Sequence, residues 1–169
     1  MAEHDAERDE VDRIVSAWQR ERPDLVADPL HVFSRVTRLA RHLDLARRRT
    51  FAAHELELWE FDVLSALRRS GAPYKLTPGR LMTETLVSSG TMTNRIDRMV
   101  SHGLVVRAAG TTDRRVVFVR LTARGKQRVD AAMADLLRTE EVLLEQLDAA
   151  ERVRLRDLLR RLLLPLDAG

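Results

Sequence analysis

The sequence predicts a mainly α-helical fold with one β-hairpin late in the chain, and three observations predict it. Apolar residues recur at spacings of three and four over most of the length, as amphipathic helices require. The runs 104–108 and 116–121 are instead rich in valine, and Gly110-Thr111-Thr112-Asp113-Arg114-Arg115 between them reads as a turn. Cap residues followed by proline, and glycines at the ends of apolar stripes, mark where helices start and stop.

Taken in order, residues 6–21 read as a helix with Val11, Ile14, Val15 and Trp18 on one stripe, ended by Pro23. Asp28-Pro29 opens a long helix to about residue 53, because proline at a first helical position forfeits only an N–H that has no helical partner. Val32, Val36, Leu39, Leu43 and Ala46 lie along one side of it. A third helix is expected at 57–69, with Trp59, Val63, Leu64 and Leu67 inward and Gly71 and Pro73 stopping it. After the extended Tyr74-Lys75-Leu76, Thr77-Pro78 starts a short helix at 78–84. A turn at Thr85-Leu86-Val87 leads to Ser88, which is expected to cap a helix at 89–101, closed by Gly103. The hairpin follows, then Thr122 capping a helix at 123–146. Asp148 and Glu151 have capping-box spacing before a leucine-rich helix at 149–164. Two consecutive short helices followed by a hairpin form a winged helix-turn-helix, a unit that places its second helix in the DNA major groove. The division implied is a helical dimerisation region, 1–54 with 122–169, around a winged lobe at 55–121. The first and last helices carry stripes larger than so small a domain can bury, so a homodimer is expected.

Composition agrees. Of the 169 residues 44% are apolar and 33% charged, which suits a globular chain and not a disordered one. No apolar run is long enough for a bilayer and the N-terminus is acidic and polar, so neither membrane span nor signal peptide is expected. Cysteine is absent, which removes disulfides, thiolate metal sites and thiol redox sensing and makes the cytoplasm the expected compartment. The net charge of +3 hides an asymmetry: residues 1–30 hold nine acids against four arginines, while residues 88–128 hold nine bases against two acids. A basic stretch of that density suits a polyanion.

Asp113-Arg114-Arg115, with Leu121-Thr122 and Gly125 after it, resembles the D-x-R…L-T-x-x-G wing signature of the MarR family, and Leu86–Arg98 is similar to that family's recognition-helix segment. The likeness spans about residues 30–165. The extra N-terminal helix with Trp18, together with 59–64, 93–97 and 103–107, resembles a narrower branch of urate-responsive regulators and relatives that answer to tricarboxylates such as aconitate and citrate. The resemblance implies a ligand-responsive regulator, typically a repressor, that binds palindromic duplex DNA as a homodimer.

Candidate DNA contacts are Ser88, Ser89, Thr91, Thr93, Asn94, Arg95 and Arg98, whose hydroxyl, amide and guanidinium groups suit base edges and phosphates, with Met92, Ile96 and Met99 facing inward. The wing arginines Arg114 and Arg115 are expected in the adjacent minor groove or on phosphates, with Asp113 steadying one of them. The branch resemblance implies an anion site of Trp18, Asp62, Arg95 and Arg107: guanidinium groups for the anion, a flat indole wall, and a carboxylate that pairs with an arginine when the site is empty. Arg98 and Arg13 would add charge and incline the site toward a tricarboxylate over urate. The histidines lack ligand spacing, since His31 and His42 lie about 16 Å apart on one helix, so no metal is expected. No cofactor motif, nucleophile elbow or HExxH is present, so no enzyme is expected. The alternative is an architectural DNA binder that responds to no metabolite.

Overall fold

The computed structural model describes residues 8–110 and 116–167. They form α1 (Glu10–Glu21), α2 (Asp28–Ala53), α3 (Leu58–Arg69), β1 (Lys75–Leu76), α4 (Pro78–Thr85), α5 (Ser89–Ser101), β2 (Val105–Ala109), β3 (Val117–Leu121), α6 (Ala123–Leu144) and α7 (Ala149–Asp167). Two compact units divide within α2, one up to Arg47 and the other from Arg48 onward.

In the first unit, Asp9 caps α1. Its carboxylate accepts from the Asp12 N–H at 3.0 Å, and the Asp12 side chain accepts from the Asp9 N–H at 3.1 Å. Val11 and Val15 are buried with Ala27, against Leu30. Arg35 of α2 grips both caps, donating to Asp9 at 2.8 and 2.9 Å and to Asp12 at 2.8 Å. Trp18, expected on the buried stripe, is 49% exposed. Of that stripe Val11 and Val15 are the buried residues, packed with Ala27 and Leu30. Val32, Phe33, Val36 and Leu39 of α2 are exposed as well.

The second unit is built around α3, which is buried on nearly every side from Glu60 to Leu67. Phe51, at the end of α2, stacks on Phe61 with ring centroids 3.9 Å apart. Leu81 of α4, Met92, Ile96 and Met99 of α5, Val105 and Val119 of the sheet, and Val129, Ala132 and Leu136 of α6 complete one core. Thr77 caps α4, its hydroxyl accepting from the Arg80 N–H at 3.2 Å. Leu86 ends α4 in the left-handed region (φ 54°) and turns the chain toward α5. Gly103 takes φ 68° after α5, a conformation open to glycine at no steric cost.

The sheet has the order β1-β3-β2, all antiparallel. The hairpin pairs Val105 with Leu121 and Arg107 with Val119. The extended segment before α4 joins the hairpin as a third strand, Leu76 opposite Val119. Thr122 caps α6 by accepting from the Gly125 N–H at 2.9 Å, and its hydroxyl and N–H also meet the Leu104 carbonyl at 3.0 and 3.1 Å. Gly125 is buried where a Cβ would stand 2.0 Å from the Leu104 oxygen, which explains the glycine three residues after the cap. Asp148 and Glu151 form the expected reciprocal cap of α7, at 2.8 and 2.9 Å. Pro165 sits within the last turn and α7 continues to Asp167, since a proline there interrupts little of the remaining ladder. None of α7 is buried, and Leu155, Leu158, Leu159, Leu162, Leu163 and Leu166 are exposed. Among the described residues no helix is long and apolar enough to cross a membrane.

Candidate nucleic-acid interface and ligand residues

The proposed reading helix is α5. Met92, Ile96 and Met99 are buried in the core, and that choice of inward face turns Ser89, Thr91, Thr93, Asn94 and Arg98 outward. Ser88 occupies the cap position, but its hydroxyl meets the Thr91 hydroxyl at 3.0 Å and makes no bond to the helix backbone. The side-chain cap expected of it is not made, and the hydroxyl meets that of Thr91 instead. The first-turn N–H groups of α5 are left without a side-chain cap, a geometry suited to a phosphate. Thr93 bonds back to the Ser89 carbonyl at 3.0 Å, which leaves its methyl on the outer face. Arg114, Arg115 and Asp113 lie outside the described residues.

The larger side chains of α5 are held by the first turn of α3. Glu57 precedes α3, and its carboxylate accepts from the Trp59 indole N–H with one oxygen and from the Arg98 guanidinium with the other. The guanidinium groups of Arg98 and Arg95 stand 5.0 and 5.4 Å from the Trp59 ring centroid, within cation–π range. Trp59 and Arg98 hold the Glu57 carboxyl below the usual carboxylate range, the indole hydrogen bond contributing most. One turn along, Glu60 is 2% exposed. It accepts from the Glu57 N–H at 2.9 Å and bonds His102, at the end of α5, at 2.9 Å. Burying a carboxylate costs several kcal/mol unless it is hydrogen-bonded, so these two partners are what make the position tenable.

Of the four residues carried over for an anion site, Trp18 belongs to the first unit and borders a shallow, mostly apolar depression with Ile14, Ala17 and Glu21 on α1. Asp62, Arg95 and Arg107 belong to the second unit. Arg107 leaves β2 toward α5 and pairs with Asp97 at 2.8 Å, so it is tied directly to the reading helix. Asp62 is half-buried on α3. Arg13, offered as extra positive charge, pairs with Glu10 at 2.7 Å on its own helix. His54 meets Asp135 of α6 at 2.7 Å, and the Asp135 carboxyl is held below its ordinary value chiefly by that bond. Glu57, Trp59, Asp97 and Glu60 are absent from the sequence-based site. No spacing rule links residues 41 or 42 positions apart, and a lone carboxylate before a helix has the pattern of an ordinary cap.

Comparison with known proteins agrees with this architecture. The model of the MarR family matches residues 54–116. The HTH-type transcriptional regulator PecS of Dickeya dadantii (strain 3937) is 34% identical over 152 residues, covering 90% of this chain and 92% of that one. A MarR family protein from Bacillus stearothermophilus superposes with a TM-score of 0.72 at 24% identity, over 85% of this chain and 99% of that one. BpsR of Bordetella bronchiseptica, solved to explain how 6-hydroxynicotinic acid regulates its DNA binding, gives a TM-score of 0.56 at 26% identity, over 75% and 91%. With a relative of this identity matched along nearly its whole length, and with the helix-turn-helix and wing strands in place, the chain belongs to the MarR family of winged-helix transcriptional regulators.

Proposed function

We propose that this protein is a homodimeric repressor that binds palindromic duplex DNA through α5 and the wing, and is released by a small anionic metabolite. The observation that carries the DNA half is the outward row Ser89, Thr91, Thr93, Asn94 and Arg98 on a helix whose opposite face is locked into the core. These side chains offer donors to base edges and phosphates, and Ser88 with the uncapped first turn adds backbone N–H groups. Arg114 and Arg115 extend the contact along the wing. Homodimerisation is supported by the exposed leucines of α7, an apolar face that a single chain leaves in water. A two-fold dimer would present two reading helices, hence the palindrome.

The ligand half rests on Arg95 and Arg107. Both stand on or against α5, so an anion drawing on either guanidinium acts on the helix that reads DNA. Trp18 as wall and Asp62 as empty-state partner are the further residues that the branch resemblance implies for this function. BpsR supplies a parallel, an anionic heterocycle regulating DNA binding. A tricarboxylate such as citrate or aconitate, or urate, is the proposed effector.

The test is binding of the purified protein to a labelled fragment of the DNA upstream of its own gene, titrated separately with citrate, aconitate and urate. Release by one of them at millimolar or lower concentration is expected. Specific binding that none of them alters refutes the ligand half and favours the architectural reading. Absence of specific binding refutes the whole.

A further inference from the structure

We infer that Glu57 is a latch on the reading helix: in the DNA-free protein it holds Arg98, and a DNA phosphate must take Arg98 from it. The inference rests on the proposal above that Arg98 contacts DNA. Four observations support it. Glu57 is built into place, because one carboxylate oxygen is fixed by the Trp59 indole N–H and the other is left for Arg98. Arg98 lies on the Trp59 face, so its guanidinium is ordered before any DNA arrives. Both ends of the pair are about half exposed, 54% for Arg98 and 51% for Glu57, and so are open to an incoming phosphate. A second tie has one buried end: Glu60 is 2% exposed and bonds His102, itself 47% exposed, at the end of α5, whose inner face of Met92, Ile96 and Met99 is in the core. The helix therefore stays seated on α3 when Arg98 changes partner. The exchange is of like for like, a carboxylate for a phosphate, both matched to the guanidinium fork. The protein carboxylate sets the threshold a phosphate has to exceed, and Glu57 acts as a positioning residue through Arg98.

The experiment measures affinity for a labelled mixed-sequence duplex about three helical turns long, across a salt series, because a phosphate contact does not depend on sequence. The proteins are wild type, Glu57→Gln, Arg98→Ala and the double variant, each checked for wild-type unfolding temperature. Glu57→Gln keeps an acceptor for Trp59 and removes the charge. It is expected to bind about two- to fivefold tighter, the range of an exposed ion pair, with an unchanged salt slope. Arg98→Ala is expected to bind more weakly, with a slope smaller by about 0.9. The gain must vanish in the double variant, which should bind like Arg98→Ala. A second readout is Trp59 emission in a Trp18→Phe protein, which should change on DNA binding when Arg98 is present and stay constant when it is alanine. Unchanged or weaker binding by Glu57→Gln overturns the latch. So does an equal gain in the Arg98→Ala background, which would mean that Glu57 repels DNA in general. Failure of wild type to bind the duplex at low salt overturns the DNA reading itself, an outcome distinct from a latch that fails while wild type binds.

Discussion

Replacing Gly125 with alanine tests the junction between wing and α6. The new Cβ would stand 2.0 Å from the Leu104 carbonyl oxygen, 2.9 Å from its carbon and 3.3 Å from its Cα. All three are backbone atoms, so no flexible side-chain end can yield, and the strand end or α6 has to move. Overpacking of this kind costs about 1–3 kcal/mol. The same carbonyl accepts from the Thr122 N–H at 3.1 Å and hydroxyl at 3.0 Å, and displacing it weakens two bonds worth about 1 kcal/mol each. Alanine returns about 1 kcal/mol of helix propensity. The net is a loss of about 3 kcal/mol, or about 6–12 °C in unfolding temperature for a chain of this size. Urea titration and thermal unfolding followed by circular dichroism measure it. Gly79→Ala is the control, since nothing lies within 4 Å of a Cβ there, and it should be neutral or stabilising by up to about 1 kcal/mol. A Gly125→Ala protein as stable as wild type refutes the close approach and the account of the wing motif built on it.

Four further outcomes are expected. Arg115→Ala should weaken binding to every duplex alike and reduce the salt slope by about 1, read by anisotropy across a salt series; an unchanged slope removes the wing from the interface. Arg107→Ala and Trp18→Phe should keep DNA binding and lose at least tenfold in effector sensitivity, about 1.4 kcal/mol of coupling, and wild-type release by the double variant would discard the site. Leu159→Asp on α7 should give monomers in sedimentation at micromolar concentration, because a leucine contributes about 1.5–3 kcal/mol when buried and two-fold symmetry counts the change twice; a persistent dimer would place the interface elsewhere. The last concerns pH. Arg35 holds the Asp9 and Asp12 carboxyls below their ordinary value of 3.8, mainly by hydrogen bonding to each. Groups with depressed folded values contribute stability that is complete well above 3.8 and is lost as the pH falls through their folded values. Trp18 emission should therefore show α1 loosening only below about pH 4, and an Arg35→Ala protein should already be loosened at neutral pH.

Much of this protein was legible in its sequence because the deciding forces are local. The caps at Thr77, Thr122 and Asp148 act within three residues, Gly103 is selected by its own φ, and the inward face Met92, Ile96 and Met99 follows from helix periodicity. These determined the helices, the hairpin and hence the winged unit and its outward row on α5. Tertiary structure decided what depends on distant segments meeting. The third strand exists only because Leu76 finds Val119. Gly125 is required by a backbone 21 positions earlier in the chain. Trp18 is half exposed although its spacing matches a buried stripe, because burial depends on which positions other segments reach, and Ala27 and Leu30 reach Val11 and Val15. The pairing of Glu57 with Arg98, Glu60 with His102 and Arg107 with Asp97 likewise belongs to the packed molecule. Charge partners are chosen by proximity in space, and residue type and spacing along one chain carry no record of that.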